Sequence, residues 1–467
     1  VDVKARLADD LPAADLQHVA GRVAGRQDGG RREIYTKGLT FVERDGSRFP
    51  DTDFRLRYEE ASGSTPAHGD LTFDHLALGP LGALAAVLPL PQRWRDDLAR
   101  FAPRGTLKEG KLAWDGPADA PTRYTASVQF AQFGIAAQDA LPGVRGLTGR
   151  VDATEAKGTL ALDSRDVVVA LPHLFASPLA FDTAVARVTW THAADAVGVR
   201  VDSASFANAD VAGAVSGTWH SAAKGPGSVD LRAQLTRARV EPLARYLPLQ
   251  LAPAAREWLV RSLRKGTSND VRLTLKGNLE DFPFAQGRNG QFALAIKGRD
   301  ATLAYADGWP PITGLDADVR FEGARVVIDV ARGRVLGANL SRARIEVADM
   351  RQHPAAVKVD GAADGPTSEF LDFVARSPVG GWIGNAQENA KVGGNGKLAL
   401  SFQIPLTGGR VDALAGEYEF VDNAVHWAGA PGLTHVNGKL AFTEHEMHAR
   451  DIAGEVLGGP AKVSFTT

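Results

Sequence analysis

The chain has 467 residues, enough for about three ordinary domains, and a formal net charge of −2. So small a net charge argues against broad electrostatic attraction to nucleic acid or to an anionic membrane surface, and no nucleic-acid partner is expected. Cysteine is absent, which excludes thiol chemistry and is compatible with an oxidising compartment.

The sequence contains no apolar run of about 18 residues, the length needed to cross a bilayer as a helix. It begins at Val1 without an initiator methionine. We therefore expect an internal segment or a processed form, with any targeting or anchoring segment lying outside it.

Residues 1–60 predict short strands, for example at 34–36 and 54–58. After them, residues 81–103 predict the first helix, and a strand returns at 107–114. From the turn at Leu141 to Trp219 turn residues separate apolar runs about every 8–12 residues, a spacing typical of antiparallel strands.

The segment 241–284 shows the change of period most clearly. Pro253 suits the first turn of a helix, and apolar residues recur at helical spacing up to Gly266. From Asp270 onward apolar and polar residues alternate, which predicts a half-buried strand. A third helix is predicted at 367–374, with Thr367 near its cap and strands after it.

Four segments follow from this pattern: 1–67, 68–235, 236–365 and 366–467. Each of the last three contains a helical unit followed by strands, and loose repeats between them favour quasi-linear stacking. We therefore predict one continuous groove rather than separate compact domains.

The proportion of strand decides the predicted fold class. Most strands alternate apolar and charged residues, so one face of the sheet requires cover. About three short helices cannot supply that cover. The expected fold is mostly β: a long, twisted, curled antiparallel sheet that forms an open hydrophobic groove (β-taco-like), with about three short helices inserted. The helices either plug the groove or cover the sheet edge, and the sequence leaves both open.

Other motifs predict ordinary structure. In a strand His445 and His448 would point to opposite faces, so no metal site is expected. The glycine-rich residues 393–396 predict a turn, because no helix follows as a phosphate loop requires. No catalytic motif is recognisable, so neither an enzyme nor a cofactor is expected. Trp94 and Trp258 are expected to pack from helices onto the sheet.

Several short motifs resemble the YhdP-like branch of the AsmA-like family, which is related to TamB. They are Ala-Pro-Arg-Gly at 102–105, Leu-Ala-Trp-Asp-Gly at 112–116, Leu-Thr-Leu-Lys-Gly at 273–277, Asp-Phe-Pro-Phe at 281–284 and Gly-Asn-Gly-Lys-Leu at 394–398. The resemblance keeps its order over most of the chain and is weakest at 1–60 and 150–235.

The resemblance implies an intermembrane phospholipid transport conduit in the periplasm. Its partners would be phospholipid acyl chains, the inner membrane through an N-terminal segment absent from this chain, and proteins on the outer-membrane side. Alternation gives the residues expected to line the groove: Val271, Leu273, Leu275, Phe292, Leu294, Ile296, Val326, Ile328, Val330, Leu398, Leu400, Phe402 and Ile404. The alternative is a structural or adhesive β-solenoid with a filled interior, which would bind protein or glycan on its outer surface.

Overall fold

The structure is a computed structural model that describes residues 3–6, 11–43, 46, 48–85, 87, 92–138, 141–193, 196–285, 287, 289–382, 386–405 and 412–466. The chain divides into two compact units. The first contains residues 1–231 and 245–250, and the second contains residues 232–244 and 251–467. The predicted division into four segments stays a prediction.

The first unit is built from antiparallel strands, most of which pair with the next strand along the chain; β3 pairs with both β4 and β5. The unit boundary falls within the last strand. The strands are β1 (Val3–Ala5), β2 (Ala14–Asp28), β3 (Arg31–Glu43), β4 (Arg48–Thr52), β5 (Phe54–Glu59), β6 (His68–Ala77), β7 (Arg104–Asp115), β8 (Arg123–Ile135), β9 (Gly143–Thr154), β10 (Lys157–Ala170), β11 (Leu179–Ala193), β12 (Ala196–Ala207), β13 (Val211–His220) and β14 (Ser228–Arg239).

In the second unit every strand from β15 to β25 pairs antiparallel with the next, and within the described residues β25 pairs with β24 alone. The sheet is therefore open. Its strands are β15 (Leu263–Asn278), β16 (Gly290–Leu303), β17 (Ile312–Glu322), β18 (Arg325–Val335), β19 (Ala338–Val347), β20 (Ala356–Pro366), β21 (Ala390–Pro405), β22 (Asp412–Trp427), β23 (Leu433–Thr443), β24 (Met447–Val456) and β25 (Gly459–Thr466).

The helices are short, and none in the described part of the chain is long and apolar enough to cross a membrane. Three single 3-10 turns occupy Leu243–Arg245, Leu279–Asp281 and Ala386–Asn389. The helices are α1 (Leu78–Leu84), α2 (Gln92–Phe101), α3 (Pro253–Ser262), α4 (Thr367–Ala375) and α5 (Val379–Trp382).

The predicted fold class, mostly β with an open antiparallel sheet, is confirmed. The helix count is wrong: the described residues contain five helices rather than about three. The first predicted helix is divided into α1 and α2, with Pro89 and Pro91 between them in the sequence. The four-residue α5 follows α4 after Pro378.

Two strand boundaries also differ from the prediction. β15 begins at Leu263, not at Asp270, because Leu263 already pairs with Leu303 and Gly266 continues the strand instead of ending the helix. The glycine-rich residues 393–396 lie inside β21 rather than in a turn. They form a β-bulge there, since the register with β22 shifts between Gly393 and Asn395.

In the first unit β2 and β3 have 15 and 13 residues, so the strands before residue 60 are longer than the short ones expected. His445 lies in the turn between β23 and β24, so the expectation that it lies in a strand is wrong. His448 is in β24, with its Nε2 3.0 Å from Glu446 Oε2. Trp94 and Trp258 lie on α2 and α3, and each is 39% exposed, less buried than expected.

Candidate functional site on the apolar face

Two rows of apolar side chains cross seven strands of the second unit, β15 to β21. In each row every residue is the direct cross-strand partner of the next. The first row is Val271, Ile296, Val319, Ile328, Ile345, Val359 and Phe402, and the second is Leu273, Leu294, Phe321, Val326, Val347, Val357 and Ile404.

The remaining sequence-predicted residues lie on the same face. Leu275 pairs with Phe292 beside the second row. Val330 and Leu400 belong to a third row that also contains Ala343, whereas Leu398 pairs with Tyr418 in β22. The structure thus brings all thirteen predicted positions to one face, which we call the apolar face. That they line a groove for lipid stays a prediction.

Burial on the apolar face is partial. Val326 and Val330 are 8% exposed, and the other predicted positions are only half-buried. The buried residues clustered with Val330 and Val326 come from β16, β17 and β19 of the same sheet, or from the loop that enters β20. Neighbours within one sheet therefore account for this shielding, and side chains of the apolar face keep surface free for contact.

The first unit carries a comparable row. Val128, Val151, Leu160, Val188 and Val201 are successive cross-strand partners from β8 to β12. Val128 is 8% exposed, and the others are half-buried. Alternation of apolar and polar residues therefore gives each unit an apolar face of its own.

The opposite face of the second unit carries charged side chains that form ion pairs with one another. Asp329 accepts hydrogen bonds from Arg344, at 2.9 Å, and from Arg320. On β15, hydrogen bonding from Lys297 and the charge of Arg272 lower the pKa of the Asp270 carboxyl. These ion pairs are solvent-accessible, so each adds little to stability. Their role is to keep this face in water.

A shallow depression on the charged face is lined by Arg320, Glu322, Arg325, Val327 and Arg344. The guanidinium groups in it are paired with carboxylates: Arg325 Nη2 lies 2.7 Å from Glu346 Oε1, and Arg320 and Arg344 bind Asp329. The depression is therefore a network of balanced charges on the water-facing side, separate from the apolar face.

Helix α4 lies over the apolar face at β22. Phe370 packs edge-on against Tyr418 with ring centroids 5.3 Å apart, and Tyr418 is the cross-strand partner of Leu398. Farther along α4, Phe373 is 5.7 Å from Trp309 in the loop between β16 and β17. α4 thus covers part of the apolar face, at the strand edge to which it is connected.

A buried polar network holds the start of α4. The Thr367 hydroxyl donates to Asn423 Oδ1 at 2.5 Å and accepts from the Tyr418 hydroxyl at 2.9 Å. Asn423 Nδ2 donates to the carbonyl oxygens of Asn395, at 2.6 Å, and Val421, at 2.8 Å. Asn423 is fully buried. Thr367 therefore anchors the start of the helix through its side chain, and the preceding Pro366 takes the cap position.

Helix α3 is attached at the same strand edge. Because successive strands alternate in direction, the start of β15 and the end of β20 lie on one edge. Trp258 Nε1 on α3 donates to the Tyr305 carbonyl oxygen at 3.0 Å, and burial raises the pKa of the Tyr305 hydroxyl to about 12. In the second unit α3 and α4 thus lie at the same edge of the sheet.

Sequence reasoning missed about half of each row. Val319, Phe321, Ile345, Val347, Val357 and Val359 complete the first two rows and were not among the predicted lining residues. Alternation in β17, β19 and β20 was the signal that could have identified them. The Thr367–Asn423 contact had no such signal, because its residues are 56 positions apart.

Comparison with known proteins identifies the family to which the sequence belongs. The sequence matches the family described as "YhdP protein" over residues 1–467. It is 22% identical over 441 residues to the "Intermembrane phospholipid transporter YhdP" of Escherichia coli (strain K12). That match covers 92% of this chain and 34% of the relative, so the chain spans about a third of the relative's length. No solved structure matches. The family match extends over every strand and helix described above, and the chain belongs to the YhdP protein family.

Proposed function

We propose that the apolar faces of the two units hold the acyl chains of phospholipids as these pass through the periplasm between the inner and outer membranes. The observation that carries the proposal is the pair of rows across β15 to β21. They consist of aliphatic and aromatic side chains, yet most remain half-exposed. An apolar surface of this kind calls for an apolar ligand or partner.

The rows are long enough for such a ligand. Strands lie about 4.8 Å apart, so a row across seven strands extends about 29 Å. The hydrocarbon core of a bilayer is about 30 Å thick and contains two opposed layers of chains, so one acyl chain needs about 15 Å. A chain lying along a row would contact several strands at once.

The chemistry of the rows suits holding and release. Each buried methylene contributes ~0.8 kcal/mol, so a whole chain is held firmly. The rows contain no charged side chain, and similar aliphatic groups repeat from strand to strand. A chain can therefore slide along a row without meeting a single deep site. No chemical reaction is part of this function, and the charged headgroup stays in water at the open edge.

The name of the Escherichia coli relative supports the substrate class. We propose a periplasmic location, with attachment to the inner membrane through a segment outside these 467 residues and with partners on the outer-membrane side.

Site-specific photo-crosslinking in cells tests this proposal. Probes at Leu294 and Ile328, on the apolar face, are expected to capture phospholipid. Matched probes at Ala293 and Asp329, one residue away on the charged face, are expected to capture none, because neighbouring strand residues point to opposite faces. Equal capture on both faces, or capture on the charged face alone, would contradict the proposal.

A further inference from the structure

Five aromatic rings on the apolar faces lie across a glycine of a neighbouring strand. In each case a Cβ atom built on the glycine would collide with the ring. In four cases the glycine and the aromatic residue are direct cross-strand partners, and the fifth pair is diagonal. The pairs are Gly69 with Trp114, Gly110 with Phe73, Gly158 with Trp190, Gly416 with Phe442 and, diagonally, Gly396 with Tyr418.

Backbone conformation does not explain these glycines. None of the five has φ in the left-handed region, so another residue could adopt the same backbone. Glycine inside a strand even costs about 0.5–1 kcal/mol relative to alanine. What requires glycine is the ring, which takes the space of the missing side chain.

The position of the ring determines how far the apolar face projects from the backbone of the sheet. An aromatic side chain in a strand ordinarily stands roughly perpendicular to the sheet. Here the ring tip reaches over the glycine Cα of the next strand, so the ring lies close to the sheet backbone instead of projecting away from it. Phe73 is buried and Tyr418 lies beneath α4, whereas Trp114, Trp190 and Phe442 are half-buried.

We propose that Trp114, Trp190 and Phe442 are positioning residues whose rings, lying against the sheet, form flat contact surfaces for the acyl chains. Their partner glycines leave the space that lets the rings lie there. This inference rests on the proposed function. Gly416 illustrates it: β21 presents Leu400, its partner on one side, and β23 presents Phe442, its partner on the other. Raising the Phe442 ring would place an obstacle beside Leu400 and close the path along that row.

The Gly416→Ala variant, with a photo-crosslinking probe at Leu400, tests the inference in the full chain. The added methyl group displaces the Phe442 ring upward, and phospholipid capture at Leu400 is expected to fall several-fold. Gly361→Ala is the matched control. Gly361 is the partner of Leu400 in β20, so the methyl group is added on the same face and equally near the probe. The new Cβ would lie 3.4 Å from Ala343 Cβ, 3.8 Å from the Arg342 carbonyl oxygen and 4.0 Å from Ala343 Cα, with no ring to displace, and capture is expected to be unchanged.

A double variant distinguishes displacement of the Phe442 ring from a general loss of structure. In Gly416→Ala with Phe442→Leu, no ring remains to be displaced, so capture is expected to return towards the unsubstituted level. The alternative is that the glycine serves stability alone, by letting the ring pack on the backbone. Gly416→Ala would then lower the urea midpoint and leave capture in the folded protein unchanged, which would overturn the inference.

Equal losses in Gly416→Ala and Gly361→Ala would overturn it as well, because the ring would then be irrelevant. Failure of the proposed function has a different signature: the unsubstituted chain itself would capture no phospholipid at Leu400.

Discussion

Leu294→Asp is expected to leave the chain folded and to remove its capacity to hold phospholipid. Leu294 is half-buried between Leu273 and Phe321 in the second row. With no lipid bound, the new carboxylate can reach water, so the loss of unfolding free energy is about 1–2 kcal/mol. Against an acyl chain the same carboxylate costs several kcal/mol, and bound lipid is expected to fall about tenfold or more.

The matched control is Ala295→Asp. Ala295 is the next residue of β16, is exposed on the charged face, and lies between Arg272 and Arg320 of the flanking strands. A carboxylate there gains two cationic neighbours, so stability and lipid content are expected to stay unchanged. Urea denaturation and the amount of co-purified phospholipid measure both effects. Global unfolding of Leu294→Asp alone would instead indicate a closed, filled interior, the arrangement that a structural or adhesive β-solenoid requires.

Asn423→Ala is expected to cause the largest loss of stability from a single polar residue. Asn423 is fully buried and makes three hydrogen bonds, to Thr367 and to the carbonyl oxygens of Asn395 and Val421. Alanine leaves these groups without their partner in a place that water does not reach. We expect a loss of about 2–4 kcal/mol in unfolding free energy. We also expect faster amide hydrogen exchange in α4, which is held through Thr367.

Asn437→Ala provides the control for this prediction. Asn437 also bonds to the backbone near the same strand, accepting from Asp422 N at 3.0 Å and donating to the His435 carbonyl oxygen at 2.8 Å. It is exposed, however, so water can replace it and the expected loss is below about 1 kcal/mol. Equal losses in the two variants, or unchanged exchange in α4 of Asn423→Ala, would show that the buried network does not hold the helix.

The sequence predicted the apolar face well because the side-chain period of a strand is two. Val271, Leu273 and Leu275 alternate with polar residues, and the cross-strand register places them beside Ile296, Leu294 and Phe292. No long-range information was needed for that assignment. The open antiparallel sheet followed from the same alternation, since the predicted helices were too few to cover so many strands.

Features that depend on distant contacts were not predictable. The bulge at Gly394 depends on pairing with β22, and local composition alone suggested a turn. The early start of β15 depends on pairing with the end of β16. Tertiary pairing thus overrode a helical pattern that continued to Gly266. The rings that lie over glycines belong to the same class, because Gly158 and Trp190 meet only through the register of two strands.

The central claim is that the apolar face, outside the part that α4 covers, stays free of protein and holds acyl chains. Mass spectrometry of lipids extracted from the purified chain, with Leu294→Asp and Ala295→Asp prepared in parallel, tests it most directly. Phospholipid is expected in the unsubstituted chain and in Ala295→Asp, and it is expected to be depleted in Leu294→Asp. Absence of phospholipid from all three proteins, or equal amounts in all three, would contradict the claim.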